Sequence, residues 1–123
     1  MSARIRAYAL GRLGFGVAAL ALPERVGGVL AGPGGQSPDA RAFLRGIAGR
    51  ELGLGSGLLL TAGSPPDARP WLLASACADL GDVAGVLGSW TEMAGDKRAP
   101  GLALAGAAAL TGLLLAVGSS ANK

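Results

Sequence analysis

Arg12, Arg50, Glu51, Asp79 and Asp82 are ionisable side chains set inside stretches that are otherwise apolar. Three carboxyls and two guanidiniums can donate, accept and orient protons, so acid/base chemistry is what this set offers. Asp79 and Asp82 stand three residues apart, on one helix face, and Ser75 continues that stripe one turn earlier. Tyr8 falls four residues before Arg12, on the same face. It either lines a shared pocket or stands at an interface as an aromatic. Arg50 and Glu51 are neighbours in sequence, roughly 100° apart on a helix, so they need not pair with each other.

Those residues can only meet if helices carry them to one depth. The sequence supports four spans, at about 5–22, 42–62, 71–88 and 101–117, each near the ~20 residues that cross a hydrocarbon core. Pro70 and Pro100 precede the third and fourth spans, where proline suits a helix start. Ser37, Pro38 and Asp39 mark the start of the second. At 1.5 Å per residue, Arg50 and Glu51 lie about 12 Å along the second span, and Asp79 and Asp82 about 9–14 Å from the far end of the third. Arg12 is near the middle of the first. The expected arrangement is interhelical, with Arg50 and Arg12 set against Asp79, Asp82 and Glu51. One carboxyl is in excess, and low dielectric favours a proton on it.

The connections follow from composition. Glu24 to Asp39 is a long Gly-rich connection whose apolar Val26–Leu30 is too short to cross and lies at the interface or dips back in. Ser64 to Pro70 is a tight, proline-stiffened loop, and Ser89 to Pro100 carries Glu92, Asp96, Lys97 and Arg98. Trp71 and Trp90 bracket the third span, as interface anchors do. Four spans leave Arg4, Arg6, Arg69 and Lys123 on one side. Arg25, Arg41, Arg45, Lys97 and Arg98 fall on the other, so basic residues do not choose an orientation. Arg45 is expected to snorkel to the interface.

Gly49, Gly53 and Gly57 recur every four residues, and Gly81 and Gly85 repeat the interval. Such spacing lets helices pack closely, inside one chain or across a homodimer, or leaves a cavity wall open. Gly53–Gly57 superficially resembles a phosphate loop, but it has no preceding strand and no lysine.

Composition narrows the class. The 123 residues suffice for one small domain, and half of them are hydrophobic while 15% are charged. Mean hydropathy is +0.46, which leaves too little polar surface for a soluble shell of this size. The expectation is a single all-α, four-transmembrane-helix bundle, multi-pass and integral to the cell membrane, with the lipid bilayer as its solvent. The net charge of +3 does not indicate nucleic acid, because the arginines are scattered and no basic stretch has interleaved aromatics. No histidine is present, which removes imidazole catalysis and most transition-metal sites, and no motif calls for a cofactor. Cys77 is alone and lies off the Ser75–Asp79–Asp82 face, so it is expected to be inert. The basic start at Arg4 and Arg6 and the apolar Leu13–Leu22 have the outline of a signal peptide. Arg12 interrupts that region, so a first span is the expected reading.

The run Arg45-Gly46-Ile47-Ala48-Gly49-Arg50-Glu51-Leu52-Gly53-Leu54-Gly55, followed by Ala78-Asp79-Leu80-Gly81-Asp82, resembles a signature of small four-helix bacterial integral membrane proteins of uncharacterised function. The resemblance implies a four-helix membrane domain with a shared polar centre and supplies no reaction. Analogy with small membrane proteins of natural-product pathways suggests cofactor-free chemistry on lipophilic intermediates. Small multidrug transporters are of similar length, but Arg12 stands where their first helix carries a central Glu.

The leading functional expectation is an intramembrane acid/base site for a lipophilic small molecule, acting as an isomerase or cyclase. Asp79, Asp82 and Glu51 are the candidate acids and bases. Arg50 and Arg12 hold a carboxylate ionised or bind a substrate oxygen, and Ser75 and Tyr8 line the site. A proton-coupled transporter working as a homodimer is the second expectation. A structural or accessory subunit, whose charges only specify helix pairing, is the third.

Overall fold

Prolines, glycines and short polar residues punctuate the chain into helices. The computed structural model describes residues 1–120, all of whose regular elements are helical. Lys123 lies outside the described residues. Helix α1 spans Ser2–Ala21 and α2 spans Pro23–Ala31; a 3₁₀ turn follows at Gly32–Gln36. Helices α3, α4 and α5 span Pro38–Thr61, Pro65–Gly88 and Gly95–Ser120. Pro23, Pro38 and Pro65 each occupy the first helical turn, where the missing N–H costs nothing. Ser37 caps α3: its side chain accepts from Ala40 N–H at 3.2 Å, with Asp39 in the first turn beside the positive end of the helix dipole.

Two helices, α4 and α5, are long and apolar enough to cross a membrane. A third crossing is available if α1 and the segment Pro23–Gln36, bent by 110°, count as one broken span. Helix α3 is long enough but carries Arg41, Arg45, Arg50 and Glu51, so its composition alone does not qualify it.

Four long helices run up and down. α1 packs antiparallel on α3, α4 antiparallel on α5, and α3 meets α4. The α1–α3 seam is reciprocal. Leu13 lies over Gly55 and Leu52 over Gly16, where an added Cβ would come within 2.8 Å and 2.9 Å of those side chains. Gly112 serves the α4–α5 seam, facing Ala76 and the Leu72 carbonyl. Small residues thus bring the backbones together along both seams.

The buried positions have a common rhythm. On α1 they are Ile5, Ala9, Arg12, Gly16 and Ala19; on α3 they are Leu44, Ala48, Glu51, Gly55 and Leu58, with Gly57 beside them under Trp71. On α4 they include Ala68, Leu72, Ser75 and Asp79, and on α5 Ala109, Gly112, Ala116 and Ser119. Steps of three and four residues are the seam of near-parallel helices packed at a shallow angle. Ile5, Ala9, Leu58, Ala62, Ala68, Leu72, Leu115 and Ala116 close one end of the bundle as an apolar cluster.

Several expectations are corrected. Helix α4 begins at Pro65 and α5 at Gly95, so Pro70 and Pro100 lie inside them, near the start, and do not precede them. Each removes one intrahelical hydrogen bond, tolerable so near a helix start. The connection between α3 and α4 is therefore shorter than expected, confined to Ala62–Ser64. Glu24–Asp39 is mostly helical, and Gly27 and Gly35 are pressed so close that either Cβ would overlap the other's carbonyl. Gly49, Gly53, Gly81 and Gly85 pack against nothing among the described residues; added Cβ atoms there would meet open space. Gly57 does pack closely, under the Trp71 ring, so Trp71 covers a helix as well as facing outward.

Candidate functional site

The central layer of the seam is polar. Arg12, Glu51 and Asp79 occupy positions that elsewhere hold Ala, Gly or Leu, and each is at most 5% exposed. Arg12 Nη1 donates to Glu51 Oε2 at 2.6 Å. Its Nη2 donates to Asp79 Oδ2, to the Tyr8 hydroxyl at 2.9 Å and to the Ser75 carbonyl at 3.2 Å. One turn toward the α2 end, Arg50 makes a two-pronged pair with Asp82, Nη1 to Oδ1 at 3.1 Å and Nη2 to Oδ2 at 2.7 Å. Arg50 also donates from Nε to Glu51 Oε1 at 3.2 Å. The result is a continuous ladder across three helices, Asp79–Arg12–Glu51–Arg50–Asp82, with charges alternating along it.

Tyr8 belongs to the ladder. Its hydroxyl accepts from Arg12 and lies 3.1 Å from both Asp79 Oδ2 and the Ala108 carbonyl, either of which can take its proton. The Arg12 guanidinium also sits 5.0 Å from the Tyr8 ring centroid, within cation–π range.

Burial grades along the ladder. The Glu51 and Asp79 side chains are 6% exposed, Arg50 32% and Asp82 41%. The exposed end faces a cavity of about 570 Å³ between α1, α3, α4 and α5. Tyr8, Arg12, Arg50, Glu51, Asp79 and Asp82 form one patch of its wall. The rest is small or apolar: Ala7, Gly11 and Phe15 from α1, Leu104, Ala108 and Thr111 from α5, with Leu30 and Met93 closing the α2 end. Its size falls in the range of small-molecule pockets, and an apolar cleft with a few convergent polar groups is their usual make-up.

The five charged residues singled out in the sequence are brought together, and Arg12 and Arg50 face the three carboxyls as expected. Arg50 and Glu51 do pair, although adjacent, because both side chains lean into the same groove. Tyr8 lines the pocket. Ser75 is fully buried behind it and off the cavity wall, its carbonyl and not its hydroxyl serving Arg12. Arg45 and Cys77 are exposed on the outside of the bundle. The cavity-lining contribution of α5 and of Gly11 and Phe15 was missed. Thr111, the one polar residue between Gly101 and Val117, was the available signal.

Among the described residues, no group of three His, Cys, Asp or Glu side chains is placed to hold a metal ion. Comparison with family models, curated proteins and solved structures finds no match for this chain.

Proposed function

We propose that the chain is a four-span integral membrane protein whose cavity takes up a lipophilic small molecule and moves a proton on it without a cofactor, in an isomerisation or cyclisation. One observation carries this reading: an otherwise small and apolar cavity of about 570 Å³ has the whole charged ladder, Arg12, Arg50, Glu51, Asp79 and Asp82, together with Tyr8, as one patch of its wall. Helix α3 becomes a credible span in that setting, because Arg50 and Glu51 are compensated inside the bundle.

The chemistry follows from the contacts. Asp79 takes a proton from a carbon next to a C=O or C=N group, and the C–H electron pair moves into the conjugated system. The Tyr8 hydroxyl, held in place by Arg12, donates its proton to the atom where negative charge collects. Asp79, now protonated, returns that proton to the Tyr8 oxygen across their 3.1 Å contact, and the cycle closes. Glu51, held between both arginines, keeps the guanidiniums aligned.

Exchange of substrate C–H for deuterium in D₂O tests this without knowing the product. A panel of lipophilic enones and imines is incubated with the protein in nanodiscs, and mass spectrometry follows uptake at carbon. Wild type should catalyse exchange, and Asp79→Asn should lose about 10²–10⁴-fold. Exchange that survives both Asp79→Asn and Glu51→Gln removes the assignment.

A second reading draws on the saturation of the ladder. Every Nη atom of both arginines has an acceptor within the ladder, as in a helix-pairing device. Replacing Arg50 and Asp82 together by Met and Leu separates the two: a structural ladder keeps its activity, a catalytic one loses it.

A further inference from the structure

The donors and acceptors of the cavity wall are unequal, and the imbalance identifies what the cavity holds. Arg12 and Arg50 commit their Nη atoms to carboxylates, the Tyr8 hydroxyl and a backbone carbonyl, and Arg50 commits Nε to Glu51. The one guanidinium nitrogen without a partner, Arg12 Nε, is sealed from the cavity. Glu51 and Asp82 have both oxygens engaged. Asp79 does not. Its Oδ2 accepts from Arg12 and Tyr8, whereas Oδ1 accepts nothing from the described residues. Unlike Arg12 Nε and Ser75 Oγ, it is not among the atoms that are sealed in. It belongs to a side chain 94% buried on the cavity wall. The formal charge of the ladder, two guanidiniums against three carboxylates, is −1. No basic residue of α2 or α5 lines the cavity to offset it.

We infer that the ligand of this cavity is a lipophilic cation bearing an N–H, an amine or protonated imine, whose nitrogen donates to Asp79 Oδ1 while its hydrocarbon part lies along α1 and α5. A cation there brings the ladder to neutrality in a low-dielectric site, where an uncompensated charge is most costly. An anion meets a net negative wall whose guanidinium Nη atoms already donate to acceptors within the ladder. The inference rests on the cavity reading above and sharpens its substrate class. In a conjugated protonated imine the positive nitrogen acidifies the conjugated C–H bonds. Asp79 removes one, the electron pair neutralises the nitrogen as a dienamine, and Tyr8 protonates the carbon at the other end of the shifted double bond, restoring the protonated imine.

The test compares four probes of equal chain length, decylamine, decyltrimethylammonium, decanol and decanoate, by calorimetric titration of the full chain in nanodiscs against empty nanodiscs. Decylamine should bind about tenfold or more tighter than decanol, which corresponds to one added charge-assisted contact. Decyltrimethylammonium should fall between them, and decanoate should bind weakest. Asp79→Asn should remove most of the amine's advantage while leaving decanol within about threefold of wild type. If decanol or decanoate matches decylamine on the unmodified chain, the cationic assignment is overturned and the cavity reading stands. If none of the four binds above empty nanodiscs, both fall. The wild-type comparison decides even where Asp79→Asn does not fold. The half-exposed Asp82→Asn, which removes the same formal charge, then gives the second arm and should lower the amine's advantage as well.

Discussion

At the residue scale, the ladder separates buried from exposed charge. Arg12→Met leaves Glu51 and Asp79 without their shared partner in a nearly closed layer. It should destabilise the fold by about 3–5 kcal/mol, read as a shifted unfolding midpoint in detergent. Asp82→Asn removes a partner that is 41% exposed, so its cost should be about 1 kcal/mol or less. Equal losses for the two would mean that burial does not grade the ladder. Tyr8→Phe keeps the ring beneath Arg12 and removes only the hydroxyl. Deuterium exchange should fall about 10²-fold with little change in ligand binding. The five charges were legible because an ionisable group in an apolar stretch stands out, and helical rise places it by depth. What the sequence could not show is which atoms remain free. That depends on rotamers and backbone carbonyls, as with Asp79 Oδ1 and the Ser75 carbonyl, and no spacing rule encodes either.

At the element scale, the glycines divide by what they face. Gly16 and Gly55 are covered by Leu52 and Leu13. Valine at both should force α1 and α3 apart and cost about 1–3 kcal/mol at each position. Gly49→Val and Gly53→Val meet open space and should stay within about 0.5 kcal/mol of wild type. Detergent unfolding midpoints of the two pairs check this, and a reversed order would contradict the seam. The four-residue interval of Gly49, Gly53 and Gly57 draws the eye, but the working seam steps by threes and fours through Gly16, Gly55 and Gly112. That rhythm was present in Ile5–Ala9–Arg12–Gly16–Ala19. It is hard to see in a chain where apolar and small residues also cover the outside, because bilayer-facing surfaces erase the polar contrast that marks a helix face in water. Helix starts were misplaced at Pro70 and Pro100 for a related reason. Proline is accepted anywhere in the first turns, so it brackets a start without fixing it.

At the scale of the whole molecule, the up-and-down arrangement gathers Met1, Ala62–Ser64 and Ser120 at one end, and α2 with Ser89–Ala94 at the other. The four-span reading predicts that single cysteines at Ser64 and Ser89, in a Cys77→Ser background, are labelled from opposite sides of a sealed vesicle. Labelling from the same side would leave α4 uncrossed. It also predicts that α3, despite its charges, inserts only as part of the bundle, since Arg12 and Asp82 of other helices complete the pairing of Glu51 and Arg50. A cavity that brings a lipophilic molecule to Asp79 must lose its ligand when it is filled. Gly11 and Ala108 line it from facing helices, and Gly11 has open space where a side chain would project. Gly11→Phe should leave the unfolding midpoint near wild type while weakening decylamine binding about tenfold or more. Undiminished binding in a folded Gly11→Phe variant would mean that the ligand does not enter this cavity.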